Sequence, residues 1–197
     1  MSDRLAALFL FAFVAAISPG PNNLISASSG ARFGFLRTVP QMLGVAFGFP
    51  VMILAMGLGL GGLFDLVPGL HTVLKLAGAA YLLYLAWSLI RASAPSAGPD
   101  QSRPPGFLQS VAFQWVNPKA WTVALSVIPA FTHSGTDMLP QVLVIAAAFV
   151  VTTLPSLAIW AIFGVAMSRV LQDDLQRQRL NVILATLVAA SVVLLLL

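Results

Sequence analysis

Ser18-Pro19-Gly20-Pro21-Asn22-Asn23 interrupts an apolar run from residue 5 to about residue 27, and Asn117-Pro118-Lys119 interrupts a second run from residue 107 to about residue 131. Proline removes a backbone donor and disfavours helix at the residue before it, so each interruption leaves amide and carbonyl groups without helical partners. Lipid cannot satisfy such groups, and a break of this kind is tolerated in a membrane only where protein or a polar cavity surrounds it. Paired interruptions in corresponding halves of a chain point to the binding site of a transporter built from repeats. The fold class this predicts is an all-α integral membrane protein, with broken helices in spans one and four.

Composition agrees. Of 197 residues, 59% are hydrophobic and only 8% charged, with a mean hydropathy of +0.94. A soluble domain carries about a quarter charged residues. Crossing a bilayer takes about 20 helical residues, and six apolar segments qualify: 5–27, 39–64, 72–90, 107–131, 139–167 and 180–197. The opening Met1-Ser2-Asp3-Arg4 and the apolar stretch to Ile17 resemble a signal peptide, but the sequence after Ser18 stays apolar and helical, so this is read as a retained first span.

The Pro/Ser/Gly-rich stretch 91–106 divides the chain into two three-helix repeats, 1–90 and 107–197, within one membrane domain. Each half places a proline inside its second helix, Pro50 and Pro155. Seven arginines (Arg32, Arg37, Arg91, Arg103, Arg169, Arg177 and Arg179) fall on one side of the predicted spans, against Arg4 and Lys75 on the other. Positive charge collects in the cytoplasm, so both termini are expected outside it. Three spans per half then make the second repeat inverted relative to the first, an arrangement used for alternating access.

Several chemistries are excluded or unsupported. There is no cysteine, hence no disulfide or thiolate metal site, and no cluster with metal-ligand spacing. No Gly-rich loop ends in Gly-Lys-Ser/Thr for a nucleotide. The net charge is +4, yet the basic residues are scattered singly, which fits membrane orientation and not a nucleic-acid face. An intramembrane hydrolase would need a serine nucleophile served by His71 or His133, but no Gly-x-Ser-x-Gly elbow is present and both histidines fall at predicted loops. No cofactor or metal is expected, and no enzyme.

Lys119 is the sharpest single residue. A lysine near the middle of a span costs about 2.5–3.5 kcal/mol or more, and every acid (Asp3, Asp65, Asp100, Asp137, Asp173, Asp174) lies near a span end or in a loop. Three outcomes are open for it: snorkelling to an interface, loss of its charge, or pairing with an anionic group brought by a ligand. A purely structural role, bonding carbonyls freed by Pro118, is the bland alternative. In the first break, Pro19 and Pro21 end one helical segment, Gly20 lets the chain turn, and Asn22 is expected to cap a second half-helix. The exposed amides of such a half-helix favour a carboxylate, and Asn side chains both donate and accept. The candidate substrate-binding residues are Asn22, Asn23, Gln114, Asn117 and Lys119, and the backbone breaks are Pro19, Gly20, Pro21 and Pro118. Gly44 and Gly48 suit close helix packing; Gln41 and Trp115 line a polar path or sit in ordinary packing.

The chain resembles the lysine-exporter (LysE/RhtB) superfamily of amino-acid efflux proteins. The resemblance rests on residues 18–24, on Gly30-Ala31-Arg32-Phe33-Gly34-Phe35, Gly44 and Gly48, on residues 76–82, on Phe113-Gln114-Trp115-Val116-Asn117-Pro118-Lys119, and on Arg179-Leu180-Asn181. The Pro-Gly-Pro-Asn-Asn form followed by a Ser-rich helix looks closest to the cysteine and O-acetylserine exporter branch. Many relatives carry Asp where Asn22 stands, which weakens any inference toward basic substrates. The resemblance implies efflux of a small amino acid or derivative across a bacterial inner membrane, driven by the proton-motive force. A homodimer is compatible with it, since three helices per half leave little material to enclose a pathway. A non-transporting membrane assembly subunit is the rival class.

Overall fold

The computed structural model describes residues 2–59, 103–133 and 137–170, with isolated positions between 73 and 90 and between 175 and 190. Among the described residues all regular structure is helical. In chain order the helices are α1 (Ser2–Ile17), α2 (Pro21–Phe33), α3 (Phe35–Gly57), α4 (Phe107–Gln114), α5 (Pro118–Phe131) and α6 (Met138–Val170).

The two proline-bearing stretches decide where helices stop. The axis bends by 56° between α1 and α2 across Ser18-Pro19-Gly20, and Trp115 to Asn117 separates α4 from α5. Pro21 and Pro118 each open the following half-helix, where the missing N–H costs nothing and the fixed φ suits the first turn. Between α2 and α3 only Gly34 intervenes, at φ 82°, a left-handed conformation that glycine adopts without steric penalty.

The 23-residue α3 and the 33-residue α6 are apolar and long enough to cross a membrane, and the bent α1–α2 pair makes a third candidate span. Helix α6 lies against α1, α2 and α3, while α4 packs on α3. Two glycine contacts set the closest approaches. A Cβ on Gly30 would fall on the Ala161 carbonyl, and one on Gly164 on the Ala27 carbonyl, so α2 and α6 meet backbone to backbone. Gly44 and Gly48 likewise face Phe107, Ser110 and Val111 of α4. The main core joins α1, α3, α5 and α6 around Phe49 and Phe149, whose rings meet edge to face at 5.0 Å. Leu36, Phe47, Val51, Val151, Ile159 and Ile162 point outward, as side chains facing lipid do.

Helix α2 extends to Phe33, past the expected end of the first apolar run at residue 27. Ser26, Ser28, Ser29 and Gly30 are buried, so this polar segment is covered by α3 and α6 and needs no apolar surface of its own. Helix α6 runs from Met138 to Val170 where residues 139–167 were expected. Most of the expected spans 72–90 and 180–197, most of the linker 91–106, and His71 and Lys75 lie outside the described residues.

Candidate functional site

A helix that stops inside a protein leaves its last carbonyls unpaired, and the end of α1 is satisfied from three directions. Asn23 reaches back with Nδ2 to the carbonyls of Ala16 (2.9 Å), Ile17 (3.2 Å) and Ser18 (3.0 Å). Trp160 of α6 donates its indole N–H to Ile17 at 3.0 Å. Lys119 of α5 donates from Nζ to the Ser18 carbonyl at 2.6 Å and to Ser18 Oγ at 2.9 Å, with a long contact of 3.5 Å to the Pro19 carbonyl. Lys119 thus caps the first break, not the carbonyls near Pro118, and its hydrogen-bond acceptors among the described residues are neutral oxygens.

The second break is closed locally. Asn117 caps α5, its side-chain oxygen accepting from Lys119 N at 3.2 Å. The last carbonyls of α4 accept from the amides of Trp115, Val116 and Asn117, and the Trp115 carbonyl accepts from the Trp121 indole at 2.8 Å. Asn22 does not cap α2, contrary to expectation. Gly20 holds the cap position in extended conformation, with Pro21 next and no side-chain cap bond. Asn22 sits one residue further and pairs with Gln114 of α4: its Nδ2 donates to Gln114 Oε1 at 2.9 Å, and Gln114 Nε2 returns a 3.4 Å bond to Asn22 Oδ1. Gln114 Nε2 also donates to the Ser110 carbonyl at 2.7 Å.

Gly20 is a second correction. Its φ of −177° is open to any residue, so no tight turn requires glycine there. Space does: a Cβ would stand 2.7 Å from Lys119 Cδ and 3.0 Å from Nζ.

One cavity of about 50 Å³ lies between the two breaks. Asn22, Asn23, Gln114, Asn117, Lys119 and Gly20 all line it, so the structure brings together all five candidate binding residues. Pro19 is exposed and Pro118 half-buried, and neither lines the cavity. Apolar side chains of α3 and α6, among them Phe49, Phe149 and Leu157, close the rest. A water needs roughly 10–15 Å³ by the same measure, so the space suits a compact solute. Among the described lining residues there is one cation, Lys119, and no carboxylate.

The structure adds residues that sequence reasoning did not single out. Thr153 of α6 lines the cavity; its signal was a Thr152-Thr153 pair just before Pro155 in an otherwise apolar run. Trp160 bonds Ile17 from α6, a contact with no local signal in the sequence. Gln41 is buried and accepts from Ser26 Oγ at 2.8 Å. His133 is exposed on a loop. No group of metal-ligating side chains occurs among the described residues.

A family model described as LysE type translocator matches residues 13–197. A curated relative from Salmonella typhimurium, named cysteine/O-acetylserine efflux protein, is 29% identical over 185 residues, covering 93% of this chain and 92% of its own length. The protein of the same name from Escherichia coli (strain K12) is 29% identical over 184 residues, with 93% and 92% covered. No solved structure matches the chain.

Proposed function

The chain belongs to the LysE type translocator family, and from that premise we propose that it exports a small amino acid or amino-acid derivative from the cytoplasm, driven by the proton-motive force. It is a membrane translocator and not an enzyme. Its relatives carry the names of cysteine and O-acetylserine, and a compact, polar, neutral amino acid of that kind is the substrate class proposed here.

The observation that carries the reading is the meeting of both helix breaks at one cavity, lined by the bonded pair Asn22 and Gln114 and by Asn117 and Lys119. Lys119 would hold the substrate carboxylate, while the two amide side chains orient the rest of the molecule. Because Lys119 is the only titratable side chain among the described lining residues, it is also the group proposed to exchange a proton during the cycle. The architecture proposed is six spans in two inverted repeats, 1–90 and 107–197 joined by 91–106, in a bacterial inner membrane with both termini outside the cytoplasm. In that arrangement the bond from Lys119 to Ser18 ties the second repeat to the first, and breaking it is a natural step in alternating access.

The test is export of radiolabelled amino acids from proteoliposomes under an imposed pH gradient, comparing the wild type with Lys119→Met. Gradient-dependent efflux of a small neutral amino acid, lost in the variant, supports the reading. Absence of flux for every amino acid tested would overturn it in favour of a non-transporting assembly role.

A further inference from the structure

We infer that the cavity recognises its substrate through the carboxylate alone, so that short 2-hydroxy acids bind as amino acids do; this rests on the reading of the cavity as the substrate site. An amino acid brings two charges. The question is which of them the site is built to meet.

The positive side of the site is open. Among the described residues Lys119 is bonded by Ser18 and Pro19 oxygens, all neutral, and its contact to the Pro19 carbonyl is long at 3.5 Å. An ammonium has three N–H donors, and the one spent on the long bond to Pro19 is the least held and open to exchange for a ligand; the charge itself has no counter-ion among the described lining residues. Helices α2 and α5 both begin at the cavity, with Gly20 and Asn117 in the cap positions, adding two positive helix ends. The amides of Asn22 and Asn23 precede the first intrahelical bond of α2, from Leu24 N to the Gly20 carbonyl. Asn117 is 1% exposed and lines the cavity, and the one bond its side chain makes among the described residues uses the oxygen, leaving its N–H₂ to donate.

The acceptor side carries no charge among the described lining residues. A broken helix usually offers an ammonium its C-terminal carbonyls. At the end of α1, however, the two N–H donors of Asn23 are shared over the carbonyls of Ala16, Ile17 and Ser18, Trp160 adds a donor to Ile17, and Lys119 adds one to Ser18. The last carbonyls of α4 are bonded as well. The remaining acceptors are neutral: amide oxygens of Asn22, Gln114 and Asn117, each bonded once, that of Asn23, the Ala16 carbonyl with one donor, and the Thr153 hydroxyl. An ammonium placed among these gains no charge partner and is repelled by Lys119, so a hydroxyl in its place gives up little.

Three probes separate the charges: L-serine, L-glycerate of the same size (hydroxyl for ammonium), and the smaller ethanolamine (carboxylate removed). Binding is read on the purified full-length protein in detergent by the ligand-dependent shift in unfolding temperature and by equilibrium titration. L-Glycerate is expected within about threefold of L-serine, and ethanolamine at least a hundredfold weaker. Asn117→Asp is the decisive variant, because it keeps the cap acceptor and the side-chain shape while setting a carboxylate beside Lys119. It should weaken L-glycerate at least tenfold while unfolding near the wild-type temperature. Binding of L-serine without L-glycerate, or of ethanolamine as tightly as L-serine, would overturn the inference and leave the exporter reading standing. Failure of all three probes to bind the wild type would instead remove the cavity as an amino-acid site, and the inference with it.

Discussion

Gly20 and Lys119 compete for one volume: a Cβ on Gly20 would stand 2.7 Å from Lys119 Cδ and 3.0 Å from its Nζ. The glycine of the first break is therefore the seat of the lysine from the second. The consequences differ from those of a glycine needed for its backbone angles.

Gly20→Ala should leave the fold intact, because the extended backbone accepts alanine and the colliding atoms are the far end of a flexible side chain. The loss of stability is expected within about 1 kcal/mol, the usual range for an accommodated substitution. Export should nevertheless fall, since Lys119 must leave the Ser18 oxygens. Efflux rate and melting temperature measured on one preparation check this, and a drop in both to the same extent would contradict it.

Lys119→Met removes a charge-assisted donor worth about 1.5–3 kcal/mol. If that bond is exchanged for the substrate carboxylate, efflux should fall by roughly 10- to 100-fold with membrane insertion unchanged. Proteoliposome flux normalised to reconstituted protein is the measurement.

Gly164→Val tests the other kind of glycine. Its new side chain would meet the Ala27 carbonyl and the Ala31 amide, which are backbone and cannot swing away. Overpacking of this sort costs about 1–3 kcal/mol and sometimes more. The variant should melt lower and purify in lower yield.

The Asn22–Gln114 pair lends itself to a double-mutant cycle. Interhelical polar pairs in membranes couple by about 0.6 kcal/mol on average and about 1.7 at most. Asn22→Ala and Gln114→Ala should therefore be sub-additive by an amount in that range when thermal stability is measured. Asn23→Ala should cost more than either, because it takes the described donor from the Ala16 carbonyl and one of two from those of Ile17 and Ser18, and leaving a buried group unsatisfied costs about 1–3 kcal/mol.

What the amino-acid order determined by itself was the helical, apolar character of the chain, the positions of its two breaks and the residues beside them. These follow from local physics. Proline cannot donate, lysine cannot sit in hydrocarbon unattended, and a run of apolar residues has one inexpensive conformation in lipid. The tertiary structure decided who serves whom. Asn23 rather than Asn22 attends the end of α1, Asn22 pairs with a glutamine 92 positions away, Lys119 bonds the break in the other half of the chain, and Trp160 and Thr153 join the site from α6. A side chain's hydrogen-bond partner depends on which helices lie against each other. Backbone contacts at Gly30 and Gly164 set that packing, and no local pattern carries it.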